Sequence, residues 1–351
     1  MCRINIRNKS SGSLVFNKWI VLATCLVLTF IICGMINKKK GVKMRSVTKM
    51  IEMQRVSKME RKVTKMMEGN KVSKMTETPS TNSMGSLRGI EFVKNNATLC
   101  RGNPKTVVVI ISHSDNYKQR RAIRATWGKS TSDIRYVFLL GLSPGQRREK
   151  IATAEVDTHG DIVQMNMVEM YYRLTMKSGA MVKWVNEFCR HVKYVIKIDD
   201  DMYLDAGQYT SALDARAGHN AYLLCYLVRN PGVNRNPKSK FYVSREDWPS
   251  SRFPNYCSGT GYGFTAKIIP DMWKTALETK LMNNEDVWLT GVVVSKMKGV
   301  KRIDDRRINL TSRARNWCES KDYITTHRLS PQNLMDIWKD KLSGKTCPPK
   351  K

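Results

Sequence analysis

Three adjacent carboxylates, Asp199, Asp200 and Asp201, carry the strongest chemical signal in this chain. They directly follow the apolar run 194–198, which predicts a short buried strand. In open α/β sheets, ligands bind at the carboxyl edge of the strands, where these side chains would lie. Adjacent carboxylates repel one another unless a cation compensates them, and Mg²⁺ or Mn²⁺ takes carboxylate and phosphate oxygens as ligands. The pattern predicts a metal site that holds a diphosphate; the alternative is an acidic surface turn.

Two other groups could contact a ligand. The arginines at 120, 121 and 124 could pair with phosphate groups, and burial of Arg121 or Arg124 against carboxylates of the sheet is an equally good structural account. The glycine-rich stretch 258–263 allows close approach of the backbone to a ligand, or it forms a bulge in a strand. It is not a dinucleotide-binding fingerprint, because no G-x-G-x-x-G precedes a helix.

Strands and helices alternate along the part of the chain that carries these residues. Continuous apolar, β-branched runs predict strands that are buried on both faces. Longer patterned segments between them predict helices. The predicted strands are 105–112, 136–141, 194–198 and 221–228, and the predicted helices are 120–127, 172–189 and 285–297. The alternation predicts an α/β fold with a mostly parallel, Rossmann-like sheet that has helices on both faces.

The first third of the chain has a different composition. Residues 19–36 form an 18-residue run without a charged side chain, which predicts a transmembrane signal-anchor after a short tail, residues 1–18. A cleaved signal peptide is the alternative. Lys and Arg flank the run on both sides, so the positive-inside rule does not orient it. Residues 37–99 are expected to form a basic, low-complexity stem and linker, with a degenerate V-[ST]-K-M repeat.

The formal net charge of the chain is +31. A basic surface could attract nucleic acid, anionic lipid or anionic small substrates. Because the sequence contains no nucleic-acid-binding motif and no basic ribbon with interleaved aromatic residues, we expect no nucleic-acid partner. A basic, membrane-tethered binder of lipid or nucleic acid remains a rival, and its binding would depend steeply on salt.

The cysteines indicate an oxidising compartment. Six of the nine follow the stem, namely Cys100, Cys189, Cys225, Cys257, Cys318 and Cys347. They contain no C-x-x-C pair, which argues against a zinc site, and they allow up to three disulfides in one of fifteen pairings. The sequons at Asn96 and Asn309 would be usable glycosylation sites in such a compartment.

Seven motifs in order resemble the β-1,3-galactosyl- and β-1,3-N-acetylglucosaminyltransferases of glycosyltransferase family 31. The first, 120–128 (RRAIRATWG), is similar to the family signature R-R-x-A-I-R-x-T-W-G. The others are 138–141 (FLLG), 197–201 (KIDDD), 241–244 (FYVS), 256–262 (YCSGTGY), 285–287 (EDV) and 327–331 (HRLSP). The resemblance spans roughly residues 105–347.

This resemblance implies a fold, a location and a reaction. It implies a GT-A-type lumenal domain over residues 100–351, held as a single-pass type II protein in the Golgi membrane. It implies an inverting, Mn²⁺-dependent transfer of a hexose from a UDP-sugar to a glycan acceptor on a glycoprotein or glycolipid. UDP-galactose is the first expectation for the donor and UDP-N-acetylglucosamine the second. A non-catalytic, glycan-binding protein on the same fold is the rival, and the oligomeric state stays open.

The resemblance also implies roles for individual residues. It points to Asp286 as the general base for the acceptor hydroxyl, with Glu285 positioning a substrate. The alternative for this pair is an acidic first helical turn that the macrodipole favours. Asp201 is the implied direct metal ligand, with Asp199 and Asp200 on the sugar and ribose side or in contact with the metal's ligands.

Several weaker assignments complete the expected site. His327 either completes the metal ligands or is structural. His113 falls in the loop where the uridine would bind, and Arg120 and Arg124 are the candidates for contacts with the donor. Tyr256, Ser258, Gly259 and Gly261 would border the sugar and acceptor pocket. Asn166 replaces an acidic residue of the family pattern, which leaves the choice of acceptor open.

Overall fold

The computed structural model describes residues 86–143, 145–170, 173–310 and 315–348. Ten strands lie in these ranges: β1 (Phe92–Lys94), β2 (Thr106–Ile111), β3 (Ile134–Leu142), β4 (Ile162–Val168), β5 (Tyr194–Asp199), β6 (Tyr203–Leu204), β7 (Tyr222–Val228), β8 (Tyr256–Thr265), β9 (Lys301–Asp304) and β10 (Thr325–Thr326). Eight of them form one sheet in the order β1-β4-β3-β2-β5-β8-β7-β9, and β10 pairs with β6.

Strands β4, β3, β2 and β5 run parallel, as do β7 and β9. The predicted α/β class with a mostly parallel sheet is therefore confirmed. The exceptions are β1, which is antiparallel to β4, and β8, which is antiparallel to both β5 and β7. Ile111 of β2 lies opposite Asp199 of β5, so the loops after these strands leave the same edge of the sheet.

Helices cover both faces of this sheet. They are α1 (Tyr117–Ala125), α2 (Gln146–His159), α3 (Leu174–Phe188), α4 (Ala206–Asp214), α5 (Ile269–Leu277), α6 (Trp317–Ser320) and α7 (Pro331–Leu342), with a π-helix at Val287–Val293 and 3₁₀ turns at Leu87–Gly89 and Ala266–Ile268. Because side chains alternate along a strand, β2 contributes Val107 and Val109 to one core, with α3 and α5. It contributes Val108 and Ile110 to the other, with α1, α4 and α7.

Three disulfides stabilise this domain, as the even number of cysteines suggested. Cys100–Cys189 joins the segment before β2 to the end of α3, Cys225–Cys257 joins β7 to β8, and Cys318–Cys347 joins α6 to the segment after α7. Each bridge constrains the unfolded chain and thereby stabilises the fold.

The two sequons differ in their surroundings. Asn96 is half-buried, and its Nδ2 donates to the carbonyl of Gly160 at 2.9 Å. Asn309 is only 3 % exposed, which leaves no room for a glycan in this conformation and argues against the site predicted there.

Within the ranges that the structure describes, no helix has the length and apolar character needed to cross a bilayer. The predicted anchor, residues 19–36, and almost all of the predicted stem lie outside these ranges.

Candidate active site

A cleft of about 400 Å³ opens beside the carboxyl end of β5. Its walls contain most of the site residues that the sequence predicted, namely Asp199, Asp201, Tyr256, Ser258, Gly259, Glu285, Asp286 and His327. The fold thus brings the carboxylates after β5, the glycine-rich strand β8 and the acidic pair before the π-helix into one cavity. Gly261 lies behind this wall, against the backbone of Lys197.

The three consecutive aspartates do not share one environment. Asp199 and Asp201 line the cleft, whereas Asp200 is 8 % exposed and turned away from it. Asp200 accepts hydrogen bonds from Ser112 Oγ at 2.6 Å and from Asn116 Nδ2 at 2.9 Å. Burial raises the pKa of Asp200. This residue fastens the loop after β2 to the end of β5.

Asp201 lines the cleft and has a perturbed carboxyl group. Burial raises its pKa to about 6, and the negative charges of Asp199 and Asp200 raise it further in the same direction. Carboxylates gathered in this way favour a nearby cation, since a positive charge would relieve both the repulsion and the burial of their charges. The electrostatics therefore fit the metal-ligand role predicted for Asp201.

The pairing of β10 with β6 brings His327 to this group. Thr326 lies opposite Tyr203, and the backbone N–H of Leu329 donates to the carbonyl of Asp201 at 2.9 Å. Between them, Arg328 adopts a left-handed backbone conformation with φ of 62°. His327 and Arg328 both line the cleft as a result.

Glu285 is held on both carboxylate oxygens. Its Oε1 accepts from Ser178 Oγ at 2.5 Å and from Tyr262 Oη at 2.7 Å. Its Oε2 lies 3.6 Å from the ammonium group of Lys197. A carboxylate with this many donors is fixed in position and stabilised as an anion.

Asp286 has a different environment, although it is the next residue. Its Oδ2 accepts from the N–H of Gly259 at 3.0 Å and its Oδ1 from the N–H of Val287 at 2.9 Å. Burial raises the pKa of Asp286 to about 6, and the charge of Glu285 adds to the increase. Asp286 thus combines a raised pKa with a neighbouring carboxylate that donors hold in place, as expected for a proton-accepting base beside a positioning group.

The π-helix begins directly after Asp286. Thr290 closes its first turn, since Thr290 Oγ1 donates to the carbonyl of Asp286 at 2.6 Å, and Arg302 donates to the carbonyls of Thr290 and Gly291 at 2.6 and 2.8 Å. Short π-helical segments are frequently found at functional sites. The sequence predicted a helix over 285–297, but not its wide turns.

The side chains of Arg120 and Arg124 do not lie where contacts with the donor were predicted. Arg120 is fully buried, and its guanidinium pairs with Glu155 at 2.6 Å and donates to the carbonyls of His113 and Ser114. Arg124 pairs with Glu155 and with Asp161, each at 2.7 Å. Neither arginine lines the cleft. Burial against carboxylates therefore describes both side chains better than contact with the donor does.

His113 lies in the loop after β2 that Arg120 supports. It is half-buried, and its Nδ1 accepts from the N–H of Asp115 at 3.1 Å. The loop is next to the cleft through the contacts of Ser112 and Asn116 with Asp200, but His113 itself is not among the residues that line the cleft.

Two buried lysines were given no role by the sequence reasoning. Lys177 on α3 donates to the carbonyl of Ser112 at 2.6 Å and pairs with Glu169 at 2.7 Å. Lys197 on β5 pairs with Asp199 at 2.7 Å. The signal for Lys197 was present in the sequence, because residues two apart on a strand share a face.

Asn166, which departs from the family pattern, contacts the N-terminal segment instead of the cleft. Its Nδ2 donates to the carbonyl of Gly89 at 3.0 Å, and its Oδ1 accepts from the N–H of Glu91 at 3.1 Å. The substitution therefore does not alter the cavity directly.

The described residues contain no group of three or more His, Cys, Asp or Glu side chains that could enclose a metal ion. The protein itself would supply too few ligands for a closed site, and the remaining positions would fall to oxygens of the substrate and to water. A hard divalent ion bound through few carboxylates and the phosphates of a substrate is a common arrangement.

Comparisons with known proteins agree with the resemblance seen in the sequence. The family model described as "Galactosyltransferase" matches residues 118–306. Human "Beta-1,3-galactosyltransferase 1" is 31 % identical over 262 residues, covering 73 % of this chain and 79 % of the relative. Human "Beta-1,3-galactosyltransferase 5" is 28 % identical over 267 residues, covering 74 % and 86 %.

Among solved structures, the galactosyltransferase LgtC in complex with donor and acceptor sugar analogues has a TM-score of 0.33 at 12 % identity. The match covers 69 % of this chain and 97 % of that chain.

Proposed function

This chain belongs to the galactosyltransferase family, and on that premise we propose that it transfers galactose from UDP-galactose to a terminal sugar of a glycoprotein or glycolipid, in β-1,3 linkage and with inversion. One observation carries the proposal: a single cleft holds Asp199 and Asp201 together with Asp286. The names of the relatives support galactose as the transferred sugar, and UDP-N-acetylglucosamine is the second candidate donor.

Asp286 is the proposed general base. Inversion requires the acceptor hydroxyl to attack the face of the sugar opposite the leaving diphosphate, and the hydroxyl must lose its proton as it does so. A carboxylate with a pKa of about 6 is unprotonated at neutral pH and still basic enough to accept that proton. The N–H groups of Gly259 and Val287 hold its oxygens toward a defined position.

Glu285 is proposed to position groups instead of accepting a proton. Both of its oxygens already have partners in Ser178, Tyr262 and Lys197. Its charge also raises the pKa of Asp286, which makes the neighbouring carboxylate a stronger base.

Asp201 and Asp199 are the residues proposed to hold Mn²⁺, with oxygens of the substrate and water as its other ligands, since carboxylates suit a divalent ion. His327 lines the same cleft and is proposed to contact the diphosphate. When bound there, the ion would act as a Lewis acid that neutralises the charge developing on the departing diphosphate. Asp200 would contribute indirectly, because it fixes the loop after β2.

We also propose the cellular setting that the sequence suggested. The domain would lie in the lumen of the Golgi as part of a single-pass type II membrane protein, with residues 19–36 as the anchor and residues 37–99 as the stem. The three disulfides support an oxidising compartment.

The test is release of UDP by the full-length protein in detergent, measured with Mn²⁺ across a panel of UDP-sugars and simple β-linked acceptors. We expect release that depends on the acceptor, is fastest with UDP-galactose and disappears with EDTA. Acceptor-dependent release from UDP-N-acetylglucosamine alone would overturn the choice of donor. A folded protein that binds glycan and releases no UDP from any donor would instead support the non-catalytic, glycan-binding rival.

A further inference from the structure

Lys197 is a buried cation behind the cleft, in contact with residues that line it. It lies on β5, two residues before Asp199, and its side chain is only 3 % exposed. A buried ammonium group is costly unless opposite charges and hydrogen-bond acceptors surround it. The placement of this lysine beneath the cleft therefore calls for an explanation in terms of its partners.

The partners of Lys197 come from β5, from β8 and from the residues directly before the π-helix. Its Nζ donates to Asp199 Oδ1 at 2.7 Å and to the carbonyl of Gly259 at 2.7 Å, and it lies 3.6 Å from Glu285 Oε2. Burial by itself lowers the pKa of Lys197, but the charges of Asp199, Glu285 and Asp286 outweigh it and raise the pKa above its ordinary value. Acceptors from three elements therefore surround the ammonium group.

The peptide group of Gly259 extends this contact to the proposed base. Its carbonyl accepts from Lys197, and its N–H donates to Asp286 Oδ2 at 3.0 Å. The Gly259 peptide lies directly against both carboxylates, since a Cβ at Gly259 would be in van der Waals contact, at 3.4 Å, with Asp286 Oδ2 and with Glu285 Oε2. A shift of this peptide would therefore move the carboxylate of Asp286.

Glu285 gives a second connection. Ser178 and Tyr262 hold its Oε1, while Lys197 faces its Oε2. Tyr262 is also the residue of β8 that lies opposite Lys197, and the ammonium group is 5.5 Å from the centre of its ring. Strands β5 and β8 and the start of the π-helix thus meet at one lysine.

We infer that Lys197 is a positioning residue, which fixes the carboxylate of Asp199, proposed to act on the donor, at a set separation from Glu285 and Asp286, proposed to act on the acceptor. In an inverting transfer the acceptor oxygen, the sugar carbon and the leaving oxygen must lie nearly in line. A displacement of about 1 Å in such a site can cost about 10²-fold in rate. The inference rests on the proposed transfer reaction and assigns a role beyond it.

The test compares Lys197→Met with wild type and with Lys193→Met, which removes an exposed lysine that pairs with Asp214 near the start of the same strand. For Lys197→Met we expect kcat to fall by about 10²-fold, with the Kd for UDP in the presence of Mn²⁺ changed less than about threefold. A larger share of the UDP-sugar that is consumed should go to water, because the acceptor hydroxyl loses its aligned base. Lys193→Met should match wild type in all three measurements.

A double variant tests whether Lys197 acts through Glu285, and it stays informative if Lys197→Met does not fold. Lys197→Met with Glu285→Gln removes one charge of each sign, so the interior stays balanced. If Lys197 acts partly through Glu285, the losses in kcat should combine to less than their product. Should Lys197→Met not fold, the double variant is compared with Glu285→Gln, and a further loss of about tenfold is expected because the Gly259 peptide is released.

The outcomes separate this inference from the proposed function. If the wild-type protein transfers no sugar, the proposed function fails and the inference fails with it. If wild type transfers sugar and Lys197→Met keeps kcat within about twofold, or if the double variant equals Glu285→Gln when the single variant does not fold, only the inference is overturned.

Discussion

Two regions next to the cleft use buried charge in different ways: the loop after β2 with the residues that support it (the β2 side), and the carboxylates around Lys197 (the β8 side). On the β2 side, every buried cation pairs with a carboxylate. Lys177 pairs with Glu169, and Arg120 and Arg124 both pair with Glu155. Burial opposes ionisation of Glu155, but the two arginines outweigh it and lower its pKa. Charges compensated in this way hold a loop in place.

On the β8 side, negative charge is in excess. Lys197 alone faces Asp199 and Glu285, and Asp286 lies beside them with a pKa raised to about 6. This excess of negative charge disfavours the ionised form of Asp286. A contribution to the stability of the fold therefore does not explain it. The comparison suggests that the β2 side is structural and the β8 side chemical, in line with the tendency of perturbed pKa values to cluster at functional sites.

The largest effect is expected on the β8 side, which we interpret as chemical. Replacing Asp286 by Asn keeps the size and the hydrogen-bond acceptor of the side chain but removes the group that accepts the proton. We expect kcat to fall by about 10²–10⁴-fold, with binding of UDP unchanged, because the role proposed for Asp286 concerns the acceptor hydroxyl and not the donor. Steady-state kinetics and titration calorimetry with UDP check this.

The neighbouring Glu285→Asp, which keeps a charge at the second acidic position, is the control for damage to the wall of the cleft. Equal rates for Asp286→Asn and wild type would contradict the assignment of the base and would erase the difference between the two sides.

The second largest effect is expected on the β2 side, which we interpret as structural. Arg120→Met removes a cation with no exposed surface and leaves Glu155 with Arg124 as its only remaining basic partner among the described residues. We expect the free energy of unfolding to fall by about 3 kcal/mol, while the Kd for UDP of the folded protein changes by less than about threefold. Chemical denaturation and calorimetry measure the two quantities.

Arg148→Met is the matched control, since Arg148 forms an ion pair with Asp115 in which both side chains are more than one third exposed. Its loss should cost at most about 1 kcal/mol. If Arg120→Met instead weakened UDP binding by about 100-fold and left stability unchanged, the arginine would contact the donor and the β2 side would also take part in binding.

Much of the fold followed from the sequence because the relevant signals are local. The β-branched runs of β2 and β5 are buried on both faces, and the apolar pattern of α3 is continuous, so their types were predictable. Strand β8 was not predicted, because its glycines carry no apolar alternation and its pairing with β5 and β7 is set by the tertiary structure. The π-helix escaped for a similar reason, since apolar periodicity does not distinguish its turns from α-helical ones.

The site was predictable to the extent that its residues stand together in the chain. Asp199, Asp201, Glu285 and Asp286 were found from short motifs, and the structure places all four in one cleft. The roles that depend on the orientation of a side chain could not be predicted from the sequence. Asp200 is turned toward Ser112, and Arg120 points into the interior, because neighbours distant in the sequence supply the better partners. Lys197 was overlooked since its partners Gly259 and Glu285 come from later elements.

The smallest effect concerns the charge that Glu285 places beside the base. The pKa of Asp286 is raised first by burial and then by the negative charge of Glu285. With Glu285→Gln the second contribution disappears, the protonated form of Asp286 becomes less favoured, and its pKa should fall. Since the base works only when unprotonated, the rate of wild type should rise with pH through about 6 and that of the variant through a value about one unit lower.

The pH dependence of kcat with saturating donor and acceptor measures this shift, and Glu246→Gln, at an exposed position, is the control that should leave the profile in place. A lower kcat at neutral pH is compatible with the shift, because a weaker base accepts the proton less readily. An acid limb that stays at its wild-type position would mean that Glu285 does not act on Asp286 through its charge. The excess of negative charge on the β8 side would then be a consequence of crowding around Lys197, and the difference between the two sides would rest on geometry alone.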